Sequence, residues 1–104
     1  MSRSRIPQWR PKAWVDVEGH AVSVGGAGQK FLDRVYDTVK LLCEHPELGA
    51  KLETANPTLI GIRAKLVREF RRYVVFCRPH VDAIEVVRVL GGGQDLYKII
   101  DGEA

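Results

Sequence analysis

The sequence predicts an α+β fold, an N-terminal helical hairpin packed on a small antiparallel β-sheet. Three observations predict it. Apolar residues recur every three or four positions as far as about residue 45. After about residue 58 they alternate instead, as strands do. Only short turn-like stretches separate the later runs, and strands joined that way pair antiparallel. At 104 residues the chain is the size of one domain, so residues 1–104 are expected to share one core.

Each element follows in turn. Residues 5–9, "RIPQW", read as a short first strand, and Pro7 confines it to an edge because it cannot donate to a ladder. Pro11 suits the first turn of a helix, where its missing N–H is not needed. Beyond it Trp14, Val17, Ala21 and Val24 share one helical face, and "GGAG" at 25–28 ends the run. From Gln29 to Glu44, Leu32, Val35, Val39 and Leu42 form the apolar stripe of a second helix, which Pro46 stops.

In "LIGIRAKLV" the alternation sets Ile60, Ile62, Ala64 and Leu66 on one side and Arg63 and Lys65 on the other. "VREF" reads as a turn. "RRYVVFCRP", 71–79, is apolar on both faces and should lie centrally, and "IEVVRVL", 84–90, is the last strand. In that strand Arg88 alternates with Ile84, Val86 and Leu90, which sets it on an apolar face. A guanidinium there needs a partner. Asp95, Glu69 and Asp16 are the candidates, and the other reading is a cation that reaches out to a bound molecule.

The glycines of "RVLGGGQDLYKII" stand between a strand and a helix-like run, the order in which chains cradle phosphate. A Walker loop, however, ends in Gly-Lys-Ser/Thr. Here Gln94, Asp95 and Leu96 follow instead. The glycines therefore read as a sharp exit from the strand, made by backbone freedom.

The formal net charge is +3, and it is unevenly spread. Arg63, Lys65, Arg68, Arg71, Arg72 and Arg78 crowd one stretch whose single acid is Glu69. Such a cluster suits a polyanion or an acidic protein, or else a solvated strand face. The two cysteines, Cys43 and Cys77, sit in apolar contexts and read as buried free thiols. Histidines at 20, 45 and 80 give no metal-ligand spacing, so no metal or cofactor is expected. No apolar run is long enough to span a membrane, and the basic N-terminus lacks a signal peptide's apolar core. A cytoplasmic protein is expected.

"LLCEHPELG" closing the second helix, then "RRYVVFCRP", then "IEVVRVLGGGQDL", resembles the RelE/ParE superfamily of toxins from type II toxin–antitoxin pairs. Residues 29–98 carry the resemblance, and 11–24 match more loosely, with Asp16 and Val17 in place. The chain departs from the pattern at Gly91, usually histidine, at His20, usually isoleucine, and at Ser23, usually tyrosine.

The resemblance implies a fold that agrees with the periodicity, and a cognate antitoxin as partner. It also implies two functions. The ParE-like branch, which "HPELG" and "RVL…DL" fit better, is taken to poison DNA gyrase by binding, with no catalytic residues. The expected target surface is then Arg63, Lys65, Arg68, Arg71, Arg72, Arg78 and Arg88, with Asp95 and Tyr97. The RelE-like branch resembles metal-independent endoribonucleases that cut mRNA on the ribosome, chemistry that needs cations and a proton donor. For that alternative the candidates are Lys65, Arg88 and Tyr97, the last of which also reads as a helix-packing aromatic. An inert member that only binds an antitoxin is a further alternative.

Overall fold

The computed structural model describes residues 4–101, apart from the side chains of Tyr97, Ile100 and Asp101. A first strand, β1 (Ile6–Trp9), leads into α1 (Pro11–Ser23) and α2 (Gly28–Glu44). A two-residue strand, β2 (Ala50–Lys51), precedes the meander β3 (Arg63–Val67), β4 (Phe70–Pro79) and β5 (Ala83–Gly91). A short α3 (Leu96–Asp101) follows. The sheet order is β1-β5-β4-β3-β2, which places β4 centrally, as its two apolar faces required.

The α+β architecture and the helical hairpin are those predicted, with one difference. β1 runs parallel to β5, so the sheet is mixed and only mostly antiparallel. The antiparallel expectation rests on short connections, and these join only β3, β4 and β5. Between β1 and β5 lie both helices and three strands, long enough for a parallel crossover. Ile6 and Arg10 donate N–H groups toward β5, to Asp82 and Val86 carbonyls. By alternation Pro7 faces the open edge, where the lack of an N–H costs nothing.

The helices cover one face of the sheet. Ala13 and Val17 of α1 and Phe31, Val35, Val39 and Leu42 of α2 pack on Val67, Val75, Cys77, Ile84, Val86 and Val89. A side chain from this set removed from water contributes roughly 1.5–3 kcal/mol. The two helices approach closely where Gly28 begins α2. A Cβ there would lie 2.8 Å from the carbonyl oxygen of Ala21. On the opposite face Leu59, Ile62, Val87, Leu90 and Leu96 form a smaller cluster.

Two side-chain expectations change. Ile60 is 61% and Leu66 43% exposed, whereas Val67 is buried beneath the helices. The strand begins only at Arg63, so Ile60 lies before it. From Ile62 the alternation holds, with Ile62, Ala64 and Leu66 on the side away from the helices and Arg63 and Lys65 on the helix-facing side with Val67. In β5 a register shift pairs Phe76 with Arg88 and Cys77 with Val86, leaving Val87 as the extra residue. A bulge of this kind interrupts the two-residue period. Ile84 and Val86 therefore face the helices while Val87 and Leu90 face away, and Arg88 does not share one side with all three of its alternating neighbours.

The "GGG" stretch is a turn. Gln94 N–H donates to the Gly91 carbonyl at 3.1 Å, and Gly93 has φ +93°, open to glycine without strain. It ends the strand by backbone freedom, with no phosphate-loop sequence around it.

Candidate functional site

The residues of the basic cluster do not form one patch. Register puts Arg63 opposite Cys77 and Lys65 opposite Val75, on the helix-covered face. Arg63 is tied down there, its Nη1 donating to the Gly49 carbonyl at 2.7 Å. Lys65 is half-buried and opens into a cleft of about 480 Å³ between α2 and β3. Asp37, Thr38 and Leu41 form one wall of that cleft, and Lys65–Glu69 with Arg71 form the other. Arg68 sits in the β3–β4 turn, exposed.

Arg72, one residue on, alternates to the other side of β4 and is exposed. Arg78 also lies on that side and is held structurally. Its Nη2 donates to the Thr58 carbonyl at 2.9 Å, and its Nη1 lies 3.6 Å from Glu85. Glu85 gathers Arg10 and His80 as well, His80 at 2.9 Å.

Arg88 meets the expectation of a paired guanidinium, and the partner is Asp16. Nε donates to Oδ2 at 2.6 Å and Nη2 to Oδ1 at 2.7 Å, with both side chains largely buried. Asp16 also accepts the Val89 N–H at 3.1 Å. β1 pairs with β5 only as far as Val86, so beyond that point α1 satisfies the strand's edge. His20 completes the cover, its Nε2 lying 2.9 Å from the Val89 carbonyl. With Nε2 protonated the ring donates to that oxygen, so the departure at His20 supplies a capping group where isoleucine could not. The His20 ring also rests on Tyr73, with centroids 4.8 Å apart.

Asp95 accepts the Lys98 N–H at 3.4 Å, which places it at the start of α3. Tyr97 belongs to α3 by its backbone, and its side chain lies outside the described residues. Of the expected target-binding residues, the structure brings Lys65, Arg68 and Arg71 together and puts Arg72, Arg78 and Arg88 elsewhere. Among the described residues no group of three His, Cys, Asp or Glu side chains is placed to hold a metal ion. No helix among them is long and apolar enough to cross a membrane.

Sequence reading missed Glu69 as an organiser. It sits in the tight β3–β4 turn with φ +67°, rare outside glycine. Lys30 at 2.8 Å and Arg34 at 3.2 Å bind its carboxylate from α2, fastening the hairpin tip to the helix. The Lys30 hydrogen bond chiefly lowers its pKa, with Arg34 adding to the effect against the cost of burial. The one sequence signal was a lone acid in a basic stretch.

A helical hairpin on a five-stranded mixed sheet, with a cationic cleft beside its second helix, defines a small α+β domain. The family model for the ParE toxin of the type II toxin–antitoxin system, parDE, matches residues 8–96, and the chain belongs to that family. The fold is similar to a solved structure described as the chromosomal ParDE TA system from P. aeruginosa. That match has a TM-score of 0.64 at 20% identity and covers 88% of this chain and 99% of the other. No curated protein matches the sequence.

Proposed function

We propose that this toxin acts by binding, that its target is DNA gyrase, and that a cognate antitoxin neutralises it in the cytoplasm. Membership of the ParE toxin family supports the antitoxin as partner and gyrase as target. The observation that favours binding over catalysis is the separation of the candidate ribonuclease groups. Lys65 stands on β3 opposite Val75, facing the helices. Arg88 stands on β5, beyond β4, with its guanidinium engaged by Asp16. Groups that share one phosphoryl-transfer step must converge on one phosphate.

The docking surface in this reading comprises the exposed cations Arg68 and Arg71 with Lys65. Arg63, Arg78 and Arg88, each engaged inside the fold, serve it by holding the strands in place. Pulse-labelling after induction of this chain alone tests the reading. An early fall in DNA synthesis with protein synthesis intact is the expected result. An early fall in protein synthesis would support the mRNA endoribonuclease alternative, and no fall in either would support an inert, antitoxin-binding member. Changing Lys65, Arg68 and Arg71 together to serine should abolish toxicity in a folded chain.

A further inference from the structure

The cationic cleft lies on one side of α2. On the other side, between α2 and β1, is a second cavity of about 360 Å³. Its floor is apolar. Pro7 and Trp9 come from β1, and Tyr36, Val39 and Cys43 of α2 meet them. The aromatic wall is fixed in place. The Trp9 and Trp14 rings stack with centroids 4.7 Å apart, and Tyr36 meets both edge-on at 5.9 and 6.2 Å. Trp14 stays 38% and Tyr36 42% exposed, so the fold itself does not close this wall.

The rim is charged, with a positive surplus. Arg5 is held at two points, its backbone N–H donating to the Cys43 carbonyl at 3.0 Å and its Nε to the His80 carbonyl at 2.8 Å. Neither Arg5 nor the exposed Lys40 makes an ion pair among the described residues. Glu44 shares the rim, so two cations stand against one acid. The Cys43 thiol at the floor senses both signs. Burial raises its pKa most, Glu44 adds to the rise, and Arg5 opposes it.

We propose that this cavity binds a small apolar carboxylate, its hydrocarbon body between β1 and α2 and its carboxylate at Arg5 and Lys40. The volume lies within the roughly 300–1,000 Å³ that ligand sites occupy, with room for an aromatic ring and a short side chain. An apolar lining with a few charged groups at one end fixes the orientation of such a ligand. Other occupants fit poorly. A strand cannot extend the sheet here, because Pro7 presents no N–H at the open edge of β1. An organic cation would meet Arg5 and Lys40, and Trp9 and Trp14 stack too closely on each other to cage it. A nucleotide base would lose water from its polar edges against Trp9, Val39 and Cys43 without regaining those hydrogen bonds. The site rests on no part of the toxin reading.

The full chain, ¹⁵N-labelled, is titrated with cinnamate. The expected result is saturable shifts at the Trp9 indole N–H and at the Val39 and Cys43 amides, half-complete at about 1 mM or below. Two further arms isolate the carboxylate. Cinnamamide, the same shape without the charge, should bind about fivefold more weakly or worse. Lys40→Glu, a change at an exposed residue, should weaken cinnamate about fivefold and leave cinnamamide unchanged. Absence of saturable shifts, strongest shifts at Lys65 and Leu66 instead, or equal binding of acid and amide would each overturn the proposal. Equal binding would point to a neutral side chain of a partner protein as the occupant. Growth arrest is read in none of these arms, so the site can fail while the toxin reading stands.

Discussion

Asp16 on α1 grips Arg88 on β5 through both carboxylate oxygens, at 2.6 and 2.7 Å, and also takes the neighbouring Val89 N–H. The pair ties the first helix to a strand 72 residues away at the point where β1 no longer covers that strand. Removing one partner of a buried pair leaves the other charge without compensation. Asp16→Ala should therefore destabilise the fold by about 3 kcal/mol. Arg88→Met in the same background should restore part of that, a coupling of about 1 kcal/mol or more in a double-mutant cycle. Urea unfolding of the four chains measures it, and additive losses would contradict the pairing.

Gly28→Ala sets two effects against each other. Alanine in place of glycine within a helix favours folding by about 1 kcal/mol. The new Cβ would stand 2.8 Å from a backbone oxygen of α1, which cannot swing aside. Overpacking of this kind costs about 1–3 kcal/mol. The net expectation is a lower Tm, and a higher one would mean that the hairpin has room to open there.

Acid should weaken the fold through two carboxylates. Lys30 and Arg34 hold Glu69 below its ordinary value of 4.5. For Glu85 burial is the largest influence and raises the pKa, but His80, Arg10 and Arg78 together outweigh it, so it too lies below 4.5. A carboxyl with a lower pKa folded than unfolded adds stability above the unfolded value, and this is lost as pH falls through the folded one. Stability measured by urea unfolding should decline as pH drops below about 4.5. The Glu69→Gln, Glu85→Gln chain should decline less steeply over the same interval.

Both thiols should be unreactive in the native chain. Burial pushes Cys77 up to about 11 and raises Cys43 as well. The thiolate is the reacting species. Iodoacetamide at pH values near 8 should label neither until denaturant is added. Labelling of Cys43 or Cys77 at a rate independent of denaturant would show that the helix–sheet core opens freely.

Much of this architecture is legible along the chain. Val35, Val39 and Leu42 mark a helix that must bury one side, Pro7 marks an edge, and the two apolar faces of 71–79 mark a central strand. These are local signals, because a side chain's period and a proline's missing donor act within a few residues. The buried state of Cys43 and Cys77 follows from their neighbours in the same way.

The site was less legible. Alternation set Arg88 among Ile84, Val86 and Leu90, and the choice between Asp16, Glu69 and Asp95 stayed open. A bulge against Phe76 and Cys77 resets the period, and where α1 crosses the end of β5 decides the partner. The basic stretch 63–78 likewise looks continuous in sequence, yet the pleat, the turn at Glu69 and the shortness of β2 divide it between two faces and an open edge. Composition and period by themselves determined the elements, their order and the surplus of positive charge. Only the tertiary structure decided which cations are engaged within the fold and which face solvent, because partner, face and edge depend on contacts between residues far apart in the chain.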